Sequence, residues 1–318
     1  MREIDENHRA IAGLWLPLVT PFRDGALDEA SLARLVRHYC EQPVEGLILA
    51  ATTGEALTLD AGETERLVAA AAAARTRALP LFLGLSGSDT RRLAAKLEAT
   101  EAWPVEGYLI PAPYYVRPSQ EGLRRHFEAL AGATDRPILL YNIPYRTGVA
   151  IENETLLALA ELPNIAGLKD CCRDPQLSFD LLCRRPAGFS VLTGEDALFH
   201  GALCQGADGG ILAAAHAETR LFAAVRQALL AGDRAGALAR WRPLFELARL
   251  LFAEPSPAAV KHWLWRTGLI DSPEVRLPMT GVSPALAGRL DAEIVRRGTL
   301  AAAYQRLPSL PRGAERGA

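Results

Sequence analysis

Eight short apolar runs recur along the chain at near-regular spacing: Leu14 to Leu18, Gly46 to Ala50, Leu81 to Leu85, Gly107 to Ile110, Ile138 to Tyr141, Ile165 to Lys169, Phe189 to Leu192 and Gly209 to Leu212. They are continuously apolar rather than alternating, the pattern of strands buried on both faces. Helix-patterned stretches with capping residues stand between them. Asp60-x-x-Glu63 precedes the Ala-rich run Leu67 to Ala74, Asp89 precedes Thr90 to Ala102, Ser119 precedes Gln120 to Leu130, and Asp174-Pro175 precedes Gln176 to Arg185. Strands alternating with helices imply a parallel sheet, and eight such repeats predict a closed (β/α)8 TIM barrel. An open doubly wound sheet would carry G-x-G-x-x-G after its first strand, where this chain has Thr20-Pro21-Phe22-Arg23-Asp24-Gly25. After Leu212 the strand signals stop, and Glu218 to Ala231, Arg234 to Phe252, Pro257 to Thr267 and Pro284 to Arg297 read as helices. The expected division is a barrel over 11–220, a C-terminal helical domain over 221–306, and a flexible tail over 307–318, which is rich in Pro, Arg and Gly and lacks a periodic apolar face.

Composition narrows the function classes. A chain of 318 residues can bury a substantial core, and its formal net charge of −2 argues against nucleic acid or an anionic membrane surface as the main partner. The longest apolar run is too short to span a bilayer, and Met1 to Ala10 is polar and charged where a secretory signal needs an apolar stretch. A cytoplasmic protein is expected. The five cysteines are odd in number and lack Cys-x-x-Cys spacing, so neither a disulfide framework nor a zinc knuckle is predicted. Cys171 and Cys172 read as buried, inert thiols, and the six histidines occur singly, without metal spacing.

Lysine usage carries the chemistry. Nearly all of the 35 basic residues are arginine, and the lysines are Lys96, Lys169 and Lys261. Lys169 closes the run Ile165 to Leu168, at the strand end where a (β/α)8 barrel places its active site. An arginine does not deprotonate in a protein, whereas a lysine in a dry pocket can, and then attacks a carbonyl carbon. The plainer alternative is a lysine that snorkels from the strand end to water. A Schiff-base mechanism also needs a proton shuttle and a cation or dipole for a carboxylate. Tyr141 at the fifth strand end fits the first need; Thr52 and Thr53 with their backbone N–H groups, and Arg146, fit the second. Singly, such threonines are turn residues, such a tyrosine is packing and such an arginine is solvated. Their coincidence on successive strand ends of one barrel is what argues for a site. Lys96 lies on a helix face of mixed charge, and Lys261 sits beside His262 and Trp263 in a structural position.

Six segments carry a resemblance that runs from about Ile11 to Thr280: TTGE at Thr52 to Glu55, PYY-x-RPSQEG at Pro113 to Gly122, YNIP-x-RTG at Tyr141 to Gly148, GLKD at Gly167 to Asp170, GED at Gly194 to Asp196, and RLPMT at Arg276 to Thr280. In these the chain resembles the N-acetylneuraminate lyase / dihydrodipicolinate synthase superfamily of pyruvate-dependent class I aldolases, and most closely its synthase branch. The resemblance implies that Lys169 forms an imine with pyruvate and that Tyr141, Thr52 and Tyr115 make a proton relay, with Tyr115 acting in a neighbouring subunit. It implies that Thr53 holds the pyruvate carboxylate, that Gly194 and Ile211 line the pocket through main-chain groups, and that Arg146 meets the carboxylate of L-aspartate 4-semialdehyde. It implies no metal or organic cofactor and a homotetramer built as a dimer of dimers. Sialic-acid lyases lack the arginine of the YNIP loop, which favours a small carboxylate-bearing aldehyde over a long sugar.

Several positions depart from the synthase pattern. Lys169 is followed by Asp170-Cys171-Cys172-Arg173 where synthases usually have Glu-Ala-Thr-Gly, Ala56 replaces a serine, and Leu85-Ser86-Gly87 stands for the usual Gly-Thr-Gly. Three readings stay open: the synthase, another class I pyruvate aldolase using a different small aldehyde, and a non-catalytic barrel that binds a 2-oxo acid. The positions matching the inhibitor cleft of lysine-inhibited synthases are Ala61, Thr64, Asp89 and Leu93. Leucine in place of a glutamate predicts weak or absent feedback by lysine.

Overall fold

A computed structural model describes residues 11–304 of the chain. Eight parallel strands close into a barrel: β1 (Gly13–Pro17), β2 (Gly46–Leu49), β3 (Leu81–Gly84), β4 (Gly107–Pro111), β5 (Ile138–Asn142), β6 (Ile165–Asp170), β7 (Ser190–Thr193) and β8 (Gly209–Ile211). Each pairs with its neighbour in sequence, and β8 returns to β1 through Gly13 against Gly209. Every expected run lies within a residue of its strand. The runs are continuously apolar because each strand feeds two cores. Leu47 and Leu49 of β2, Leu81 and Leu83 of β3, and Ile138 and Leu140 of β5 pack outward under the helices, while Ile48, Phe82 and Leu139 point inward to a second cluster with Trp15, Tyr141 and Ile211. Trp15 and Phe82 meet edge to face at 4.9 Å inside the barrel.

The outer helices are α1 (Glu29–Cys40), α2 (Ala61–Ala74), α3 (Thr90–Ala99), α4 (Gln120–Ala131), α5 (Asn153–Leu159), α6 (Pro175–Arg184), α7 (Phe199–Cys204) and α8 (Thr219–Leu230). The predicted caps are made. Asp60 accepts from Glu63 N and Glu63 reaches back to Asp60 N, Asp89 accepts from Arg92 N, Ser119 from Gly122 N, and Asp174 from Gln176 N. One element had no expectation attached to it: a two-stranded ribbon of Phe22–Arg23 and Ala26–Leu27. Asp24 and Gly25 both take positive φ, 54° and 79°, as a two-residue turn of the Asp-Gly type requires.

Beyond the barrel come α9 (Arg234–Leu251), α10 (Ala258–Arg266) and α11 (Pro284–Tyr304). Seven consecutive residues of α10, Ala258 to Leu264, are buried. The expected boundary at 220/221 falls in the first turn of α8, and the tail expected over 307–318 lies outside the described residues. Among the described residues no helix is long and apolar enough to cross a membrane.

Candidate active site

Strand register places the lysine. Lys169 on β6 pairs with Tyr141 on β5 and with Leu192 on β7, and both neighbours belong to the inward-facing cluster. Parallel pairing keeps the three side chains on one face, so Lys169 points into the barrel. It is 4% exposed, and its Nζ lies 4.4 Å from the centroid of the Tyr141 ring. Among the described residues Nζ makes no hydrogen bond or ion pair. Burial pulls its pKa below the ordinary 10.5, against the opposing pull of Cys171, Asp196 and Glu195 nearby. Burial also raises the pKa of Tyr141, which keeps it a phenol able to donate. The snorkelling alternative is excluded by this geometry.

Gly194 closes the other side. A Cβ there would stand 2.6 Å from Lys169 Cε and 2.5 Å from Cys171 Sγ, so only glycine leaves room for the lysine stem. Its N–H donates to Asp170 O at 2.7 Å, and Ile211 is buried in the same inner cluster as Tyr141. Cys171 lies 3.9 Å from the Tyr141 hydroxyl, and burial raises its pKa, so it stays a neutral thiol. Cys172, expected to be buried, is half-buried, its thiol 3.8 Å from Asp174 O in the loop after β6.

A cavity of about 330 Å³ opens at this end of the barrel, with Thr52, Tyr141 and Arg146 in its wall. Lys169 does not itself line it; Tyr141, which does, holds the amine against its ring. Thr53 is buried beside Thr52 and does not line the cavity. Arg146 stands on a four-residue helical turn, Pro144–Thr147, braced by both arms of Asn142. Its amide donates to Ile151 O and its carbonyl accepts from Ile151 N. Tyr115 is not in this cavity. It is 91% exposed, has φ +73°, and borders a separate hollow of about 550 Å³ with Asp89, Arg92 and Lys96.

Three features of the site were not anticipated. The Tyr145 hydroxyl donates to Glu195 Oε1 at 2.7 Å, while the Arg173 guanidinium covers the Tyr145 ring at 4.1 Å and approaches Glu195 Oε2 at 3.4 Å. Asp196 is buried and its carboxyl is pushed up to about 7 by burial, although Ala214 N donates to it at 2.6 Å. Glu55, from TTGE, pairs with Lys261 of α10, and both are buried. The one signal for these was the GED and TTGE spelling, since the partners lie 18, 50 and 206 positions apart. Among the described residues no group of three or more His, Cys, Asp or Glu could hold a metal ion.

A buried amine of lowered pKa beside a phenol, with a guanidinium in the cavity wall, is an arrangement suited to binding carbonyl substrates through a lysine imine. The chain belongs to the dihydrodipicolinate synthetase family, whose description matches residues 10–295. It is 41% identical over 281 residues to 4-hydroxy-tetrahydrodipicolinate synthase 2 of Clostridium acetobutylicum, covering 88% of this chain and 98% of that one. The 4-hydroxy-tetrahydrodipicolinate synthase structure of Methylacidiphilum fumariolicum superposes with a TM-score of 0.88 at 35% identity, covering 93% of this chain and 99% of that one. A synthase structure from Cyanidioschyzon merolae with lysine bound gives 0.86 at 27% identity, covering 90% and 98%.

Proposed function

We propose that this protein is a lyase-type synthase that condenses pyruvate with L-aspartate 4-semialdehyde to give 4-hydroxy-tetrahydrodipicolinate, a step of diaminopimelate and lysine biosynthesis. The observation that carries the proposal is the Lys169 amine, buried on the inner face of β6, without an anionic partner in hydrogen-bond reach among the described residues and with its pKa lowered. The neutral amine adds to the pyruvate carbonyl, the carbinolamine loses water, and the imine gives up a methyl proton to become an enamine. The enamine carbon attacks the aldehyde, whose oxygen takes a proton. The substrate's amino group then displaces Lys169 from the imine carbon, which closes the ring and frees the lysine. Tyr141 passes protons through these stages together with Thr52, a reading supported by the 4.4 Å between its ring and the amine. Thr53 takes the pyruvate carboxylate and Arg146 receives the acceptor's carboxylate, while Gly194 and Ile211, which do not wall the described cavity, offer main-chain groups deeper in, around the Lys169 stem and the inner cluster.

Tyr115 completes the relay from a neighbouring subunit in this reading. Its ring stands in solvent on a left-handed backbone that costs energy for a residue other than glycine, held by Tyr115 N to Thr147 O at 3.2 Å. A strained, exposed aromatic supports a role outside its own chain, within a dimer of dimers. The imine serves as the electron sink, so the reaction needs no metal or organic cofactor. The working division is a barrel over 11–220 carrying the chemistry and a helical unit over 221–306, in a cytoplasmic enzyme.

A second reading has a specific observation behind it. Ala56 and Leu85, two of the departures from the synthase pattern, both line the cavity where the acceptor would enter; the first replaces a hydroxyl with a methyl group, and the second puts a bulky apolar side chain where the pattern has glycine. A pyruvate aldolase using another small aldehyde fits that change. Borohydride reduction in the presence of pyruvate, followed by peptide mass mapping, tests the shared chemistry. An adduct on Lys169 with turnover of aspartate semialdehyde is expected; an adduct without turnover selects the second reading, and no adduct at Lys169 overturns both.

A further inference from the structure

We infer that Glu55 and Lys261 are positioning residues of the active site, through which helix α10 sets the conformation of the Thr52–Thr53 loop. The inference rests on the proposed role of that loop in binding pyruvate.

The loop is held in a conformation it does not adopt unaided. Ala50 and Glu55, at its two ends, have φ of 48° and 55°, the left-handed region that residues with a Cβ avoid. Between them Gly54 packs so close to the end of β1 that a Cβ would stand 2.9 Å from Leu18 O, and the Thr20 hydroxyl donates to Gly54 O at 2.7 Å. What fixes the strained Glu55 comes from the far end of the sequence. Lys261 Nζ donates to Glu55 Oε1, and Arg276 N donates to Oε2 at 2.9 Å. Lys261 Nζ also donates to Glu274 O at 2.7 Å and lies 4.3 Å from the Phe22 ring centroid. The Arg276 guanidinium sits 4.1 Å from the same ring and clasps both oxygens of Glu63. Both carboxylate oxygens of Glu55 are therefore engaged by the C-terminal segment, and none of their partners is in the barrel.

Stability alone is a poor reason for this arrangement. Helix α10 is already seated by Ala259, Val260 and Leu264, all buried. Taking a carboxylate and an ammonium out of water costs about as much as their attraction returns, so an apolar pair would serve packing equally well. A buried ion pair does supply a single geometry, and here it supplies it to the residue two positions from Thr53. The same helix start walls the substrate cavity, which Ser256 and Pro257 share with Thr52 and Glu55. Lys261 N donates to Pro257 O at 3.0 Å, so the pair and the wall move as one piece.

The test uses the full-length protein with Glu55→Gln, Lys261→Met and the double variant. Glutamine keeps the shape and its amide oxygen still accepts from Arg276 N. The readouts are kcat and KM for each substrate, the rate of borohydride-trapped adduct formation at Lys169, and the thermal midpoint. Glu55→Gln is expected to lower kcat/KM for pyruvate, and the trapping rate with it, by about 10- to 100-fold, the size of an ångström-scale misplacement. The KM for aspartate semialdehyde should stay within about twofold, because the Arg146 turn is braced by Asn142 and not by this pair. The double variant should recover part of the stability lost in Lys261→Met without recovering the pyruvate defect. Should Lys261→Met not fold, Glu55→Gln carries the test alone. Glu55→Gln with wild-type kcat/KM for pyruvate and wild-type trapping, whatever its thermal midpoint, makes the pair a structural tie and overturns the inference. A wild-type protein that traps no adduct at Lys169 overturns instead the reading beneath it, and this inference with it.

Discussion

The barrel and the helical appendage each bury one lysine, and the two amines are treated in contrary ways. Lys169 is 4% exposed with an aromatic ring against it and, among the described residues, no anion in hydrogen-bond reach. Lys261 is 0% exposed, in contact with the Glu55 carboxylate and a backbone carbonyl. Burial pulls both pKa values down; Glu55, in direct contact, opposes the fall at Lys261, while the acidic groups near Lys169 act only at a distance. The difference shows that depth does not make a lysine reactive. An ammonium with a partner is held as a cation and serves structure, whereas burial without a partner favours the neutral form, the one that can act as a nucleophile. Lys96, exposed on α3, has neither constraint.

The largest effect separates the two sites outright. Lys169→Ala removes the nucleophile, so turnover should fall by about 10⁴-fold or more, with no borohydride adduct anywhere on the chain. An adduct persisting at Lys261 in that variant would abolish the distinction. Lys261→Met should act on stability first. It leaves the Glu55 carboxylate buried without its cation, which costs about 3–5 kcal/mol, readable as a lowered urea midpoint. The pyruvate adduct should still form at Lys169 in that variant, more slowly. Arg146→Ala comes next. It should raise the KM for aspartate semialdehyde by about 10- to 100-fold through loss of a charge-assisted pair, and leave pyruvate trapping unaltered on its high-pH plateau, where the lowering of the Lys169 pKa by Arg146 no longer affects the rate. Slowed trapping would place Arg146 at the first substrate instead.

How far the sequence reached follows from how local each signal was. The strands and their parallel order were legible because continuous apolar runs at regular spacing have few other folds available. The helix starts were legible because Asp60, Asp89, Ser119 and Asp174 bond within their own first turns. Lys169 and Tyr141 could be named because strand ends in such a barrel face one mouth. Glu55 with Lys261, Tyr145 with Glu195, and Asp196 with Ala214 N could not, since each contact closes only when distant segments fold together. The ribbon at Asp24-Gly25 was within reach, for the dipeptide itself favours the turn, but flanking strands of two residues leave no periodicity to read.

The state of the Lys169 amine predicts a pH dependence with a definite sign. Only the neutral amine attacks pyruvate, so the trapping rate rises with pH, by about tenfold per unit below the pKa. Because burial lowers that pKa, the rise should level off short of the ordinary lysine value of 10.5. A rate still climbing through 10.5 would mean an amine that behaves as if in water, and the contrast with Lys261 would lose its basis.

The smallest expected effect is that of added lysine. The Cyanidioschyzon merolae relative was crystallised with lysine bound, and that ligand presents two ammonium groups and one carboxylate. The hollow beside Tyr115 offers such a ligand the wrong charges. Arg92 and Lys96 line it, Leu93 contributes no charge, and its one carboxylate, Asp89, already caps α3 through Arg92 N at 3.1 Å. Ala61 and Thr64 lie on the first turn of α2, where Thr64 spends its hydroxyl on Asp60 O at 2.8 Å. Two ammonium groups entering there meet like charge and displace a helix cap. Initial rates should therefore change by less than about twofold at about 10 mM lysine, where even a Kd in the millimolar range would show. Inhibition in the micromolar range would mean that the cleft acquires its anionic groups from a neighbouring chain, since this one does not supply them.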